Sequence, residues 1–341
     1  MSRATHPSRP DTPLLIDRFG RVATDLRVSL TDRCNLRCTY CMPAEGLDWL
    51  AGPNVLTNDE LLRLLTVAVT RLGVTDVRFT GGEPLLRKGL DEVIAGVAGL
   101  SPRPRIAMTT NAIGLSRRVD ALRAAGLNRI NVSLDTLDAE RFVEITRRDR
   151  LADVLAGLAA ARAAGLVPVK VNAVLLRGVN DDEAVPLLRY CLEQGYQLRF
   201  IEQMPLDPQH GWSRADMITA EEILDRLGAA FDLTPSPTRR GAAPAERWLV
   251  DGGPADVGVI ASVTRPFCEA CDRTRLTADG ALRNCLFSQA ETDLRGPLRA
   301  GASDAELAEA WRGAMWAKLA GHQINEAGFA QPLRPMSAIG G

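Results

Sequence analysis

Residues 34–41 read CNLRCTYC and bring three cysteines, Cys34, Cys38 and Cys41, within eight positions. Closely spaced thiolates usually hold a metal, and a closed zinc or iron–sulfur site normally takes four protein ligands. Zinc is disfavoured because the motif has neither paired C-x2-C symmetry nor a neighbouring histidine. The spacing instead favours a 4Fe–4S cluster in which three irons are held by cysteine and the fourth iron is open to another ligand.

A second group of three cysteines, Cys268, Cys271 and Cys285, lies near the other end of the chain. Seven cysteines is an odd number for a disulfide framework, and six of them fall into these two groups. The pattern indicates two metal sites rather than disulfides. Cys191, the seventh, lies in a predicted helix, where we expect a buried core thiol.

Composition restricts the class of protein. The chain has 341 residues, of which 46% are apolar, enough for one large barrel or two ordinary domains. A formal net charge of −1 argues against general binding to nucleic acid or membrane, so any anion site must be local. No signal-peptide core and no run of about 18 uncharged apolar residues is present, so we expect a cytoplasmic protein. Three histidines and no G-x-S-x-G motif argue against a Ser-His-Asp hydrolase.

Six β-like runs alternate with amphipathic helical stretches between residues 25 and 204, as a parallel sheet with helical crossovers requires. Six units are two short of a closed eightfold barrel. The sequence therefore predicts an α/β fold, an incomplete (β/α)6 TIM-type barrel followed by a C-terminal α+β region with one helix near 304–319. The predicted strands span 26–30, 76–80, 105–109, 129–134, 167–174, 197–202, 247–250 and 257–262.

The chain divides into four predicted regions, with the main boundary in the Pro-rich segment TPSPTRRG (234–241). These regions are a disordered N-terminal extension (1–14), the partial barrel (15–235), a C-terminal region that carries the second cysteine group (236–330) and a tail ending in Gly-Gly (331–341). Three pairs have capping-box-like spacing at a helix start: Thr57 with Glu60, Asn180 with Glu183, and Thr219 with Glu222.

Four of the predicted strands have one apolar and one polar face. The apolar faces should pack beneath the helices. Because a barrel interior normally contains Val, Ile and Leu, the polar faces predict a chamber that holds a polar ligand, with a self-satisfied salt-bridge network as the alternative. The polar residues are Arg27, Ser29, Arg78, Thr80, Asn131, Ser133, Asp135, Lys170 and Asn172.

The C-x3-C-x2-C spacing, with Tyr40 directly before the last cysteine, resembles the signature of the radical S-adenosylmethionine (SAM) superfamily. The segment TGGEPLL (80–86) resembles the superfamily's GGEP segment, whose backbone meets the methionine amino group of SAM. The resemblance implies that the open iron binds SAM and that Tyr40, Gly82, Ser133 and Met204 contact it. Reductive cleavage of SAM would supply a 5′-deoxyadenosyl radical.

The segment CDRTRL (271–276) in the second cysteine group resembles the phosphate-binding segment of one radical SAM family, the GTP 3′,8-cyclases. FIEQMP (200–205) and KVNAVLLRGVN (170–180) resemble the same family, and the resemblance extends from about residue 17 to residue 341. It implies a second, substrate-binding 4Fe–4S cluster whose open iron binds guanine. The implied ligands of that cluster are Cys268, Cys271 and Cys285.

The same resemblance implies a GTP site formed by both parts of the chain. No Walker A sequence is present, so the phosphates are not expected in a P-loop. Arg273 or Arg275 would also assist a late reduction or protonation, and backbone at Gly340 and Gly341 would reach into the active site. The implied GTP contacts are Arg27, Arg78, Thr109, Lys170, Arg273, Thr274 and Arg275.

The implied reaction converts GTP to (8S)-3′,8-cyclo-7,8-dihydroguanosine 5′-triphosphate by abstraction of the ribose 3′ hydrogen, the first step of molybdenum cofactor biosynthesis. The implied partners are a flavodoxin- or ferredoxin-type electron donor, a downstream cyclic pyranopterin monophosphate synthase and a second copy in a homodimer. Nucleic acid and membrane are not expected. Two alternatives remain open: a peptide-modifying radical SAM enzyme with an auxiliary cluster, and a non-catalytic iron–sulfur carrier or zinc scaffold.

Overall fold

The computed structural model describes residues 8–340, and twelve strands of this part form one continuous sheet. The eight strands predicted from the sequence are all present, with ends that differ by three residues at most. The strands are β1 (Asp25–Ser29), β2 (Asp76–Thr80), β3 (Arg105–Thr110), β4 (Arg129–Ser133), β5 (Lys170–Val174), β6 (Gln197–Ile201), β7 (Leu233–Pro235), β8 (Glu246–Val250), β9 (Asp256–Ile260), β10 (Arg273–Leu276), β11 (Ala281–Arg283) and β12 (Thr292–Asp293).

The sheet is an open barrel. Strands β1 to β6 are parallel and adjacent in chain order, β10 adds parallel to β1, and β9 adds parallel to β6. The outer strands β11, β12, β8 and β7 are antiparallel to their neighbours. The predicted incomplete six-unit barrel is thus confirmed, and strands of the C-terminal region extend both of its edges.

Helices cover the outside of the parallel strands, with one or two in each crossover from β1 to β6. Within residues 8–340, every helix is too short or too polar to cross a lipid bilayer. The helices are α1 (Asn58–Leu72), α2 (Leu90–Ala98), α3 (Val119–Ala125), α4 (Ala139–Thr146), α5 (Leu151–Ala163), α6 (Ala184–Gln194), α7 (Ala220–Gly228), α8 (Arg295–Arg299), α9 (Asp304–Trp316) and α10 (Met336–Ile339).

The apolar strand faces form the core beneath these helices. Val28, Val77, Ile130 and Val171 are completely buried, as the period-2 alternation predicts. Cys191 of α6 is also completely buried in this core, in agreement with the expected core thiol. The polar faces of the same strands therefore point to the inside of the open barrel.

Two of the three predicted capping boxes are present, at Thr57 with Glu60 and at Thr219 with Glu222. The third, at Asn180 with Glu183, is wrong. The Asn180 side chain is completely buried, its Oδ1 accepts from the backbone N–H of Leu176 (2.7 Å), and its Nδ2 donates to the carbonyl of Asp135 (2.7 Å). A buried amide must be satisfied, and here the backbone that follows β4 and β5 satisfies it.

The regional division stays a prediction. Residues 1–7 of the proposed N-terminal extension lie outside the described residues, and Arg9 forms an ion pair with Glu309 of α9. The sheet also continues across the predicted boundary near residue 235, because β7 ends at Pro235 and pairs with β8.

Glu202 joins the end of β6 to two later segments. This completely buried carboxylate accepts hydrogen bonds from the backbone N–H groups of Ala220 (2.8 Å), Val263 (2.8 Å) and Thr264 (2.9 Å), and from the Thr264 hydroxyl. The start of α7 and the loop after β9 are thereby tied to the strand that precedes Met204.

We expect Glu202→Gln to lower the free energy of unfolding by about 1–3 kcal/mol, because one carboxylate oxygen becomes an amide that faces buried donors. Chemical denaturation of the apoprotein measures the change. Glu221→Gln, in the exposed first turn of α7, is the matched control and should stay within about 0.5 kcal/mol of wild type. Equal stabilities of the two variants would contradict the assigned role.

Candidate active site

A cavity of about 560 Å³ occupies the inside of the open barrel. The polar side chains of the parallel strands line it, among them Arg27, Arg78, Asn131 and Lys170, as the alternation predicts. Residues of the C-terminal region line its remaining side. The predicted chamber is therefore present, and its walls come from both parts of the chain.

The first cysteine group lies in the loop that follows β1, and all three thiols line the cavity. Burial raises the pKa of Cys34 to about 11 and that of Cys41 to about 12. Thiols in such a site are protonated at neutral pH until a bound metal displaces the proton. The donor set thus fits a metal-bound group that supplies positive charge.

The GGEP segment packs directly on this cysteine loop. The backbone N–H groups of Gly82 and Glu83 donate to the carbonyls of Thr31 (2.7 Å) and Arg33 (2.8 Å). A Cβ at Gly82 would lie 2.2 Å from the Arg33 carbonyl oxygen, and one at Gly81 would lie 2.4 Å from that of Thr31. The close approach that these glycines permit is therefore an approach to the cysteine loop itself.

Glu83 fixes the end of β3. Its buried carboxylate accepts from the Thr110 hydroxyl (2.7 Å), the Asn111 N–H (2.7 Å) and the Leu85 N–H (2.9 Å). Burial raises the pKa of Glu83 to about 7 in spite of these hydrogen bonds. Glu83 thus engages the Thr110 hydroxyl and the Asn111 backbone, and Thr109, Thr110 and Asn111 all line the cavity.

The residues expected to contact SAM line the same end of the cavity as the first cysteine group, near the C-terminal ends of the strands. The Tyr40 hydroxyl donates to the Asp135 carboxylate (2.7 Å), which also accepts from the Val174 N–H (2.8 Å). Burial raises the pKa of Asp135 to about 6. Asp135 thereby fixes the ring of Tyr40 beside the cysteines. Gly82, Ser133 and Met204 complete the set.

Eight lysines and arginines line the cavity, and we call the six that are buried or half-buried the cation group. Arg27 is in register with Arg78 on β2 and with Arg275 on β10, so three guanidinium groups share one face of adjacent strands. Burial and the neighbouring Arg27 lower the pKa values of Arg78 and Arg275 to about 9. The buried Nε of Arg78 has no hydrogen-bond partner among the described residues. The cation group consists of Arg27, Arg78, Lys170, Arg199, Arg273 and Arg275.

Within residues 8–340, only two members of the cation group form ion pairs with acids: Arg27 with Asp25, and Arg273 with Asp25 and Asp272. Burial and the nearby Arg199 lower the pKa of Lys170 to about 7. Burial alone would raise the pKa of Asp25, but Arg27 and Arg78 outweigh it and lower that pKa to about 2. Like charges on neighbouring strands are destabilising, and a buried donor without a partner is costly. An anion bound in the cavity would relieve both costs.

The second cysteine group lines the cavity at the opposite end. Cys34 follows the C-terminal end of β1, whereas Cys271 precedes β10, which runs parallel to β1. Cys285 follows β11, which returns antiparallel to β10. The two cysteine groups therefore lie at opposite ends of the parallel strands, with Arg27 and Arg275 between them.

The residues between the cysteines of the second group point in different directions. Arg273 and Arg275 line the cavity, and a guanidinium nitrogen of Arg273 lies 3.9 Å from the Cys271 sulfur. Thr274 is on the other face of β10, where its hydroxyl accepts from Trp311 Nε1 (3.1 Å). Of the R-x-R segment, the two arginine side chains reach the chamber and that of Thr274 does not.

The C-terminal tail enters the cavity wall. The carbonyl of Gly340 accepts a hydrogen bond from Arg275. Gly340 has a φ of +84°, and a Cβ there would lie 2.6 Å from Cγ2 of Thr80 on β2. A residue with a side chain would fit neither the space nor the backbone conformation. Gly341 lies outside the described residues.

Within residues 8–340, no three His, Cys, Asp or Glu side chains are grouped closely enough to hold one metal ion. In a 4Fe–4S cluster each cysteine binds a different iron, so the sulfurs stand farther apart than the ligands of one zinc ion. Two sets of three half-buried cysteines facing one cavity fit clusters better than zinc.

Comparison with known proteins agrees with this geometry. Residues 28–191 match the Radical SAM superfamily model, and residues 196–324 match the Molybdenum Cofactor Synthesis C model. A GTP 3′,8-cyclase of Mycobacterium sp. (strain KMS) is 66% identical over 332 residues, which are 97% of this chain and 95% of that protein. A GTP 3′,8-cyclase of Streptomyces coelicolor is 65% identical over 335 residues, 98% of each chain. The chain belongs to the GTP 3′,8-cyclase family.

A solved structure shows the same fold at low sequence identity. The crystal structure of Streptococcus suis SuiB superposes with a TM-score of 0.58 and 16% identity, covering 86% of this chain and 66% of SuiB. This likeness supports the partial-barrel fold independently of the sequence motifs.

Several residues in or beside the cavity of this GTP 3′,8-cyclase family member were not found from its sequence. Arg199 has the same parity on β6 as the polar residues of the other strands, so the alternation could have revealed it. Asp25 flanks a predicted strand, but only the structure shows that it contacts Arg27. Lys318 lies outside every motif, and no sequence signal places it beside Cys271.

Iron binding tests the two cysteine groups. Replacing Cys34, Cys38 and Cys41 together by Ser should leave about four of about eight irons per chain, and replacing Cys268, Cys271 and Cys285 should do the same. Iron and sulfide analysis after anaerobic reconstitution measures the loss. Cys191→Ala removes a core thiol and should retain the full iron content. Loss of all iron in either triple variant would show that the groups do not act as separate sites.

Proposed function

We propose that this protein is a radical SAM GTP 3′,8-cyclase that converts GTP to (8S)-3′,8-cyclo-7,8-dihydroguanosine 5′-triphosphate for molybdenum cofactor biosynthesis. One observation carries the proposal: two cysteine groups lie at opposite ends of a single cavity, with the cation group between them. Such a cavity can accept one substrate at each end and a polyanion in the middle.

In this proposal each end of the cavity has one task. Cys34, Cys38 and Cys41 would hold the first cluster, with SAM contacted by Tyr40, Gly82, Ser133 and Met204. Cys268, Cys271 and Cys285 would hold the second cluster. When bound, SAM with the first cluster supplies the radical that removes the ribose 3′ hydrogen, and the second cluster offers guanine an open iron.

The cation group would bind the triphosphate of GTP. Arg27, Arg78, Lys170, Arg273 and Arg275 point into the cavity from four different strands, and Thr109 adds a hydroxyl. Guanidinium groups bind phosphate oxygens through paired N–H donors, and the Nε of Arg78 is a buried donor that still needs an acceptor. The lowered pKa values of Arg78, Lys170 and Arg275 are the expected property of cations assembled for an anion.

The tail and β10 would complete the site around the reacting atoms. Arg275 holds the carbonyl of Gly340 at the cavity wall, so the backbone of Gly340 and Gly341 would exclude water from the chamber. Arg273 lies beside the Cys271 sulfur and would be placed to assist reduction or protonation after cyclisation. These four residues are the proposed catalytic residues of the later steps.

The partners of the reaction follow from its chemistry. We propose a flavodoxin- or ferredoxin-type electron donor, because SAM cleavage consumes an electron, and a cyclic pyranopterin monophosphate synthase as the next enzyme. A homodimer in the cytoplasm is also proposed. A peptide-modifying radical SAM enzyme is not favoured, since a row of buried cations suits a polyphosphate better than a peptide backbone.

Transfer of deuterium tests the reaction. With GTP deuterated at the ribose 3′ position, the reduced and reconstituted protein should release 5′-deoxyadenosine that carries deuterium, detected by mass spectrometry under anaerobic conditions. 5′-Deoxyadenosine without deuterium would indicate a radical SAM enzyme that acts on another carbon or another substrate. Absence of 5′-deoxyadenosine from fully loaded protein would contradict the proposal and favour an electron carrier.

The Lys170 ammonium gives GTP binding a pH dependence. Its pKa of about 7 means that the free protein loses this charge as the pH rises through neutrality. A bound phosphate raises that pKa, so binding takes up a proton and weakens above about pH 7, by at most about tenfold per pH unit. Calorimetric titration with GTP in the absence of SAM measures the slope.

Two variants separate this effect from the ionisation of GTP itself. Lys170→Arg keeps its charge and should bind GTP with little change above neutral pH, whereas Lys170→Met should bind weakly at every pH. The γ-phosphate contributes equally to all three proteins. A wild-type slope in Lys170→Met would assign the pH dependence to another group.

A further inference from the structure

Lys318 is a buried lysine that the proposed reaction does not use. The chain contains three lysines among its 41 lysines and arginines, namely Lys88, Lys170 and Lys318. Lys88 is exposed and Lys170 lines the cavity, whereas Lys318 is 3% exposed and lies directly after α9. A buried ammonium group is costly unless a partner compensates its charge.

The partners of Lys318 are sulfur and backbone oxygen. Its ammonium nitrogen lies 3.3 Å from the sulfur of Cys271, 2.8 Å from the carbonyl oxygen of Arg273 and 3.4 Å from that of Cys271. No carboxylate of residues 8–340 forms an ion pair with it. The Cys271 sulfur, as a thiolate, is therefore the one anionic partner that the described residues offer Lys318.

Helix α9 places this ammonium. The capping box of Ser303 and Glu306 fixes the start of the helix, and Trp311 in its middle donates from Nε1 to the Thr274 hydroxyl (3.1 Å). Trp311 is completely buried. The helix is thus attached to β10 at Thr274, and its C-terminal end places Lys318, two residues beyond it, beside Cys271 and Arg273.

The first cysteine group has no equivalent. Among residues 8–340, hydrogen bonds to the sulfur of Cys34 come from the Leu36 N–H (3.4 Å) and, at 4.0 Å, from the Asn111 amide. No ammonium or guanidinium group in that part of the chain donates a hydrogen bond to Cys34, Cys38 or Cys41. The two cysteine groups therefore differ in the charge that the protein places on their ligands.

We propose that Lys318 is a positioning residue of the second cluster, which holds the Cys271 ligand by a charged N–H···S hydrogen bond and raises the reduction potential of that cluster. The inference rests on the proposed function for the presence of the cluster. Hydrogen bonds to ligand sulfur and nearby positive charge stabilise the reduced, more negative cluster. Lys318 supplies both at 3.3 Å from the Cys271 sulfur, and the Arg273 guanidinium is a second, more distant donor at 3.9 Å. The same ammonium joins the ligand to Arg273 through its backbone carbonyl.

A redox titration of the reconstituted protein, followed by electron paramagnetic resonance, tests the inference. In Lys318→Met the potential of the second cluster should become more negative, in Lys318→Arg it should stay close to wild type, and the first cluster should not shift. Lys88→Met is the control for loss of a lysine at the surface. The triple cysteine variants assign each signal to its cluster.

The outcomes are separable. An unchanged potential of a fully assembled second cluster in Lys318→Met would overturn the inference. The Lys318→Met variant could fail to assemble the second cluster. In that case Lys318→Gln, which keeps an N–H donor without the charge, should restore the iron content and show an intermediate potential. Failure of both Lys318→Gln and Lys318→Arg to restore the iron content would also overturn the inference. Because no GTP turnover is measured, a wrong substrate leaves this test unaffected, whereas absence of a second cluster in wild type would refute the proposed function instead.

Discussion

Arg27 stands between Arg78 and Arg275 on adjacent strands, and the repulsion within this buried row is the constraint on which the rest of the site depends. Apolar side chains could have filled the interior at no such cost, as they do in closed barrels. The row is tolerable because the open barrel leaves space for an anion, and because Asp25 compensates part of the charge. Fold stability and substrate binding therefore oppose each other at these strands, as is common where a protein keeps charges ready for a ligand.

The pairing of β10 with β1 places one cysteine group at each end of the row of arginines. Because β10 runs parallel to β1, the start of β10 lies at the opposite end of the strands from the loop that follows β1. Cys271 and Cys34 are therefore separated by the length of the strands. The cysteine groups cannot share one cluster, although both face the same cavity. Helix α9 then supports β10 from behind through Trp311, and the tail reaches the cavity beside Arg275.

Much of this could be predicted from the sequence where a signal was periodic or local. The alternation of strands such as 129–134 revealed both the core face and the polar chamber, and the cysteine spacing revealed the two ends of the site. Contacts between distant segments could not be predicted. The predicted capping box at Asn180 was wrong because the buried amide is hydrogen-bonded to the Asp135 carbonyl instead. The orientation of Thr274 depends on the alternation of a strand of only four residues. Lys318 contacts Cys271 from the segment after α9, which is distant in sequence. The short strands β7, β10, β11 and β12 were missed because too few residues alternate to give a period.

The register of Arg27 with Arg275 also has a consequence for biosynthesis of the chain. The two strands are roughly 250 residues apart, so β1 and the cysteine loop behind it leave the ribosome long before their neighbour on one side exists. During that interval one edge of β1 is an unpaired strand edge, and the first cysteine group lacks the part of the cavity wall that the C-terminal region supplies. The first cysteine group is therefore complete well before the second group and the strand β10 are synthesised.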